Sequence, residues 1–334
     1  MSLIFNVILL VTTQMIMLAY TKRAMKHASL PFLLCSMQFT VSALLSFLIL
    51  LWKDIHARGG DQQKKIGSSI INSLWIPRSL IQVAVIPLAI SWASGFVLFN
   101  ASASHMSPAL VSLVRCTEPL ATVLLGISLG KKYSPSVLTT LIPICGGVML
   151  AGWQSSKGHP SIIGISLAML SNVSFCCRPY LLKQIKAYRT KEGRSLHSMI
   201  VFFHVVLIAS LFLPFAVLLS EGRALSNVAS NIMTDWLGQK QFIWDLIISS
   251  ISFFLYQYIQ LMIMSILRPL SFSVLTPVVK AIVIVACAFC FGDTFGFWSL
   301  VGVTVTTGGG YVFTTCAGKV QSKDILPINA SHQA

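Results

Sequence analysis

LLGISLGKKYSPSVLTTLIPICGGVML (124–150) holds two apolar segments parted by a basic turn, and ACAFCFGDTFGFWSLVGVTVTTGGGYVF (286–313) repeats its outline. Gly130 and Gly146 are spaced as Gly292 and Gly308 are, each offset by 162 residues. Upstream, LAYTKRAMK (18–26) and RPYLLKQIK (178–186) correspond in the same way, with Lys22 and Lys183 offset by 161. One repeat therefore spans five apolar segments. An odd number of crossings makes the second copy insert upside down, and inverted repeats place a binding site near the bilayer midplane between the halves.

Outward from these stretches, apolar runs long enough to cross a bilayer fall near 3–21, 31–52, 79–99, 108–129, 134–153, 161–183, 198–220, 242–266, 270–291 and 297–317. The expected fold is all-α, a polytopic membrane protein of about ten transmembrane helices in two inverted five-helix repeats. The first repeat covers 1–155, the second 156–320, and 321–334 forms a cytosolic tail. Two longer segments, 53–78 and 221–241, read as polar loops carrying Trp75 and Trp236 at the interface.

Composition agrees. Of 334 residues 55% are hydrophobic and only 10% charged, and mean hydropathy is +0.80. A soluble domain keeps roughly a quarter of its residues charged, so the solvent here is largely lipid. The formal charge of +15 comes from 24 Lys and Arg against nine Asp and Glu. Most of these cations flank apolar spans and set orientation, and no nucleic-acid motif accompanies them. The eight cysteines lie in apolar stretches, which argues for packing between helices and against disulfides; Cys287 and Cys290 have no second pair at metal spacing. The N-terminus is apolar from Leu3 without an Arg/Ser-rich leader, so 3–21 reads as a retained span rather than a transit peptide.

With an even number of spans both termini share one side. That side holds Lys53, Arg58, Lys64, Lys65, Arg78, Lys131, Lys132, Lys186, Arg189, Lys191, Arg194, Arg268, Lys319 and Lys323. The other holds Lys22, Arg23, Lys26, Lys157, Arg223 and Lys240. Fourteen against six predicts cytosolic termini.

The remaining four basic residues, Arg115, Arg178, Lys183 and Lys280, lie within spans. A cation at the bilayer centre costs about 2.5–3.5 kcal/mol on insertion scales and needs a partner, a cavity or a function. Arg178 and Lys183 sit near a span end, where binding substrate and anchoring the helix are both open. Arg115 and Lys280 are deep in PALVSLVRCTEPLATVLLG (108–126) and LSFSVLTPVVKAIVIVACAF (270–289). Glu118, three residues after Arg115, offers partial neutralisation, whereas no carboxylate lies within four residues of Lys280. Pro119 and Pro277 interrupt helix hydrogen bonding beside these charges, and Ser112 and Thr276 add hydroxyls. Spans four and nine are thus the expected walls of an anion site. His204 reads as a helix–helix hydrogen bond and Asp245 remains without an assigned role. No catalytic triad, metal motif or P-loop is present.

These motifs together resemble the triose-phosphate/nucleotide-sugar translocator family of the drug/metabolite transporter superfamily. GFVLFN (95–100) and VRCTEP (114–119) are similar to its GHxLTN and IKAxEP, and SNVSFCCRPYLLKQI (171–185) to SNISFxYRSxYxKK. LYQYIQ (255–260) resembles LYNQ, and LSFSVLTPVVKA (270–281) resembles LTHxVGNxxKR. The resemblance implies ten helices, inverted repeats and alternating-access antiport. It puts Arg115 at the fourth-span phosphate-binding position, Lys280 at the lysine of the ninth-span Lys-Arg pair, and Tyr256 at a tyrosine that closes over substrate. Arg178 and Lys183 fall on basic positions of the SNISF motif. Phe96 and Phe99 stand where plastid members have His and Thr, and Ala281 replaces the Arg of the pair. Those departures disfavour a triose-phosphate carrier and suggest a larger anion, such as a nucleotide sugar, stacked on Phe96 or Phe99.

The function expected is a secondary antiporter exchanging an anionic phosphorylated metabolite, a nucleotide sugar or sugar phosphate, across an endomembrane. The alternative is a non-transporting receptor or scaffold with the same fold. Neither enzyme chemistry nor a cofactor or metal is expected. The expected partners are substrate, counter-substrate and membrane lipid, not nucleic acid, with a homodimer left open. The Golgi or ER is the expected location, because no transit peptide is visible to support a plastid envelope.

Overall fold

The computed structural model describes the chain apart from residues 1–2, 28–29, 58–75, 106–113, 116, 154–160, 189–195, 235, 292–296 and 321–334. Every described element is helical. We number them α1 (Leu3–His27), α2 (Pro31–Ala57), α3 (Arg78–Leu80, the π-helical stretch Ile81–Val85, then Ile86–His105), α4 (Glu118–Ser128) and α5 (Pro135–Thr139 with Leu141–Trp153). The second half adds α6 (Ile162–Ala187), α7 (Ser198–Thr234), α8 (Trp236–Ile266), α9 (Pro269–Phe291) and α10 (Phe297–Val320). In lipid a helix satisfies its backbone within itself, so apolar runs of this length have few other options.

Among the described residues six helices are long and apolar enough to cross a bilayer: Ile4–Met25, Pro31–Lys53, Arg78–Ser102, Ile162–Ala187, Ser198–Arg223 and Lys240–Ile266. Glu118–Ser128, Pro269–Val283 and Leu300–Phe313 are shorter apolar helices. The expected polar loop at 221–241 is instead helical on both sides of residue 235, because α7 runs to Thr234 and α8 starts at Trp236. After Gly222 that stretch contains neither Pro nor Gly until Gly238, so nothing in its chemistry stops a helix earlier. Most of the other expected loop, 53–78, lies outside the described residues.

The outer surface carries many exposed large apolar side chains, Leu219 at 90% and Ile162 at 83% among them, as a surface facing lipid does. Inside, α1 lies along α8, α3 along α6, α2 along α7 and α5 along α10, while α9 touches α1, α4, α5 and α10. Small and hydroxylated residues allow close approach where lipid offers no hydrophobic drive. On the α3–α6 seam Ser171 donates to the Gly95 carbonyl (2.8 Å) and Ser102 to the Gly164 carbonyl (2.7 Å). Elsewhere the Glu221 carboxylate accepts the Phe32 and Leu33 amides (2.8 and 2.9 Å), neutralising the start of α2. Gln38 donates to Thr21 (3.1 Å) and Ser249 (2.8 Å), tying α2 to α1 and α8.

The α5–α10 seam gives a direct test. A Cβ on Gly147 would stand 2.5 Å from Thr306 Oγ1 and 2.7 Å from both the Gly302 carbonyl oxygen and the Thr306 nitrogen. Two of these are backbone atoms and cannot swing aside. Gly147→Ala is expected to destabilise the protein by about 1–3 kcal/mol, the usual overpacking range. Gly146→Ala, with nothing near its Cβ, is expected to leave stability unchanged or raise it. Melting temperatures in detergent separate the two.

Candidate functional site

The fourth span does not run as one helix. Val114 and Arg115 are helical, Thr117 turns (φ −81°, ψ 4°), and α4 begins at Glu118 with Pro119 in its first turn. Proline has no N–H to give and clashes with the carbonyl four residues back, but it suits a helix start. The break is held from α6. Asn172 donates its side-chain amide to the Val114 carbonyl (3.0 Å) and the Thr117 hydroxyl oxygen (3.1 Å), and Thr117 donates to the Val114 carbonyl (2.8 Å).

Arg115 leaves the chain at this break. Its guanidinium lies 4.9 Å from the Phe99 ring and 4.3 Å from the Phe175 ring. Arg178, only 2% exposed, stacks on the same Phe175 ring at 4.2 Å and on Trp92 at 5.0 Å. Its Nε donates to the Phe175 carbonyl (3.3 Å). Desolvated cation–π contacts of this kind contribute about 2 kcal/mol each, which offsets part of the cost of bringing two like charges to one ring. The buried Glu118 carboxylate acts on Arg178 and Tyr256, and its Oε2 accepts no hydrogen bond among the described residues.

The opposite wall is a cleft among α1, α8 and α9, lined by Gln14, Tyr256, Gln260, Thr276 and Lys280 with Leu10, Phe272, Leu275 and Val279. The Lys280 ammonium is buried in it. Thr276 donates to the Phe272 carbonyl (3.2 Å), a contact within α9 that fixes its rotamer. Tyr256 is hydrogen-bonded to Gln260 and feels the charges of Arg178 and Arg115. It belongs to both walls, so the cleft and the arginine pair share one interior.

Of the expected residues, Arg115, Arg178, Tyr256, Thr276 and Lys280 are brought together. Phe99 is nearby, but Arg115 lies over its ring. Phe96 is engaged by three other rings, Phe39 (5.5 Å), Phe175 (5.4 Å) and Phe253 (5.9 Å). Lys183 stands apart, farther along α6 with Lys131 and Arg268 as its charged neighbours. Ser112 falls outside the described residues. The bond His204 makes among the described residues is to the Ile200 carbonyl of its own helix (2.8 Å), a carbonyl one turn back that a ring nitrogen readily reaches, where a bond between helices was expected.

Sequence reasoning missed Phe175, Trp92, Asn172, Gln14 and Gln260. The SNVSF motif (171–175) contained two of them. Its Ser171, Asn172 and Phe175 respectively bind α3, brace the broken span and carry the guanidinium groups. Gln14 was visible as an amide inside the first span, where polar groups are costly unless used.

An all-helical membrane protein that turns buried cations and aromatic rings toward a shared interior is the class these features define. The chain belongs to the Triose-phosphate Transporter family, whose description matches residues 1–314. It is 27% identical over 265 residues to phosphoenolpyruvate/phosphate translocator 1, chloroplastic, of Arabidopsis thaliana, covering 77% of this chain and 63% of that protein. The Oryza sativa subsp. japonica protein of the same name is 26% identical, covering 88% of this chain and 67% of its own length. Glucose-6-phosphate/phosphate translocator 1, chloroplastic, of Arabidopsis thaliana is 25% identical over 68% of this chain and 57% of that protein. The chain thus spans about two thirds or less of these relatives. A solved crystal structure shares the fold at a TM-score of 0.64 and 14% identity, covering 94% of this chain and 96% of that one.

Proposed function

We propose that the chain is a secondary antiporter that exchanges a phosphorylated metabolite for another phosphorylated anion, with inorganic phosphate as one counter-substrate. The convergence of Arg115, Arg178 and Lys280 around Tyr256 carries this reading. Guanidinium groups bind phosphate oxygens in pairs, and a lysine adds a point charge from the facing helix. The relatives' printed substrates, phosphoenolpyruvate and glucose 6-phosphate each against phosphate, favour a small phosphorylated metabolite. The nucleotide-sugar alternative needed a free ring, and Phe96 and Phe99 are already in contact with other groups.

Ten crossings in two inverted repeats, over 1–155 and 156–320, remain part of the proposal. The pairing of helices supports it: moving each helix five places along maps the α1–α8 pair onto α6–α3, and α2–α7 and α5–α10 onto themselves. Both termini lie on the cytosolic side in this topology. The chloroplastic names of the relatives favour an organelle envelope over the Golgi or ER.

Electrostatics makes exchange obligatory. Closing an empty site around several cations in a low-dielectric interior is unfavourable, whereas a bound anion neutralises them, so only the loaded carrier switches readily. Uptake of labelled phosphate into proteoliposomes preloaded with phosphate, sugar phosphates or nucleotide sugars is expected to exceed uptake into empty vesicles. Equal uptake with and without preloading would overturn the antiport mechanism. Binding without flux would favour the receptor or scaffold reading instead.

A further inference from the structure

Gly130 ends α4 in a left-handed conformation (φ +79°). Its amide bonds the Ile127 carbonyl (2.9 Å), and the Lys131 amide bonds the Gly126 carbonyl (2.9 Å). This double cap folds the chain back and fixes the direction in which Lys131 departs. The ammonium of Lys131 comes to 4.2 Å from the Tyr180 ring on α6. Tyr180 is itself anchored, because its hydroxyl donates to the Thr122 carbonyl (3.1 Å) and pairs with the Tyr133 hydroxyl (3.1 Å). Lys131 is exposed, yet its ammonium is held against an anchored ring.

Two more cations share its neighbourhood. Lys183 lies one turn beyond Tyr180 on α6, and Arg268 immediately precedes α9. Burial, and then the charges of Lys183 and Arg268, hold the Lys131 ammonium below the usual lysine range. Among the described residues no carboxylate contributes to the surroundings of Lys131 or Lys183. Arg268 sits at the positive end of the α9 dipole, where a cation is disfavoured. Three like charges gathered from three elements, with no described carboxylate acting on Lys131 or Lys183, cost stability unless an anion offsets them.

We propose that Lys131, Lys183 and Arg268 form an outer site for a phosphate-bearing anion, on the face of the bundle that holds both termini in the proposed topology. The inference rests on the carrier reading above and adds a second site to it. Lys183 is five residues from Arg178 along one helix, a rise of about 7.5 Å. An anion captured at the outer site is one short step from the interior. The same chemistry describes a free phosphate or a phospholipid headgroup.

The test uses the full chain in vesicles of phosphatidylcholine alone or with added phosphatidylglycerol, with inorganic phosphate as probe. Lys131→Gln combined with Arg268→Gln is expected to raise the KM for phosphate about tenfold at the terminus-bearing face. The KM at the opposite face is expected to stay within about twofold, and Lys131→Arg to behave as wild type, which controls for folding. A shift in phosphatidylcholine alone identifies the free anion; a shift confined to phosphatidylglycerol vesicles identifies the headgroup. No shift in either, with wild-type exchange intact, overturns the outer site. Acylation of the Lys131 amine, followed by mass spectrometry, needs no transport. Phosphate or phosphatidylglycerol is expected to slow it severalfold, and no protection by either overturns the site even if the carrier reading itself has failed.

Discussion

Lys280→Ala is expected to lower phosphate exchange about 30-fold or more, whereas Lys22→Ala leaves it within about twofold. The ammonium of Lys280 is buried in the cleft with Tyr256, Thr276 and Gln14. Removing one partner of a desolvated charge pair costs about 2–5 kcal/mol, which corresponds to that loss and upward. Lys22 is exposed near the end of α1, where a long cationic side chain can keep its charge in water. Lys280→Met keeps the volume and loses the charge. If it matches Lys280→Ala in transport while its melting temperature matches wild type, the loss belongs to binding and not to packing. Comparable losses at Lys22 and Lys280 would contradict the site assignment.

The cations of the proposed site stood out because intramembrane charges are rare and expensive: Arg115 and Lys280 by their depth, while Arg178 left binding and anchoring open. Pro119 beside Arg115 marked the place where the fourth span breaks, although a continuous run over 108–129 was the expectation. The direction each ring faces was not legible. GFVLFN places Phe96 and Phe99 three residues apart on one helical face, which suggests a common role. Tertiary packing separates them, since Phe96 meets α2 and α8 through Phe39 and Phe253 while Phe99 meets Arg115. Which neighbour a side chain meets depends on helix rotation and crossing, and a single sequence does not encode these locally. The expected polar loop at 221–241 failed for a related reason: polarity marks distance from lipid, not the end of a helix.

Phe175 provides the second large effect, and it separates binding from stability through a ring instead of a charge. Its ring takes both guanidinium groups at 4.2–4.3 Å, so in the proposed site it would set the separation at which they meet a phosphate. Phe175→Leu removes the π face and keeps an apolar side chain. Losing two desolvated cation–π contacts, each about 2 kcal/mol, is expected to raise the KM for phosphate at least about tenfold. The guanidinium of Arg178 would then keep only Trp92 as an aromatic partner among the described residues. Phe96→Leu is the comparison. Among the described residues Phe96 touches three rings and no cation at cation–π distance, so its loss is expected to lower the melting temperature with little change in KM. Kinetics in proteoliposomes and melting in detergent, measured on both variants, read the two effects separately. Equal KM shifts would mean that Phe175 acts only as core packing, and that the arginines hold their positions without it.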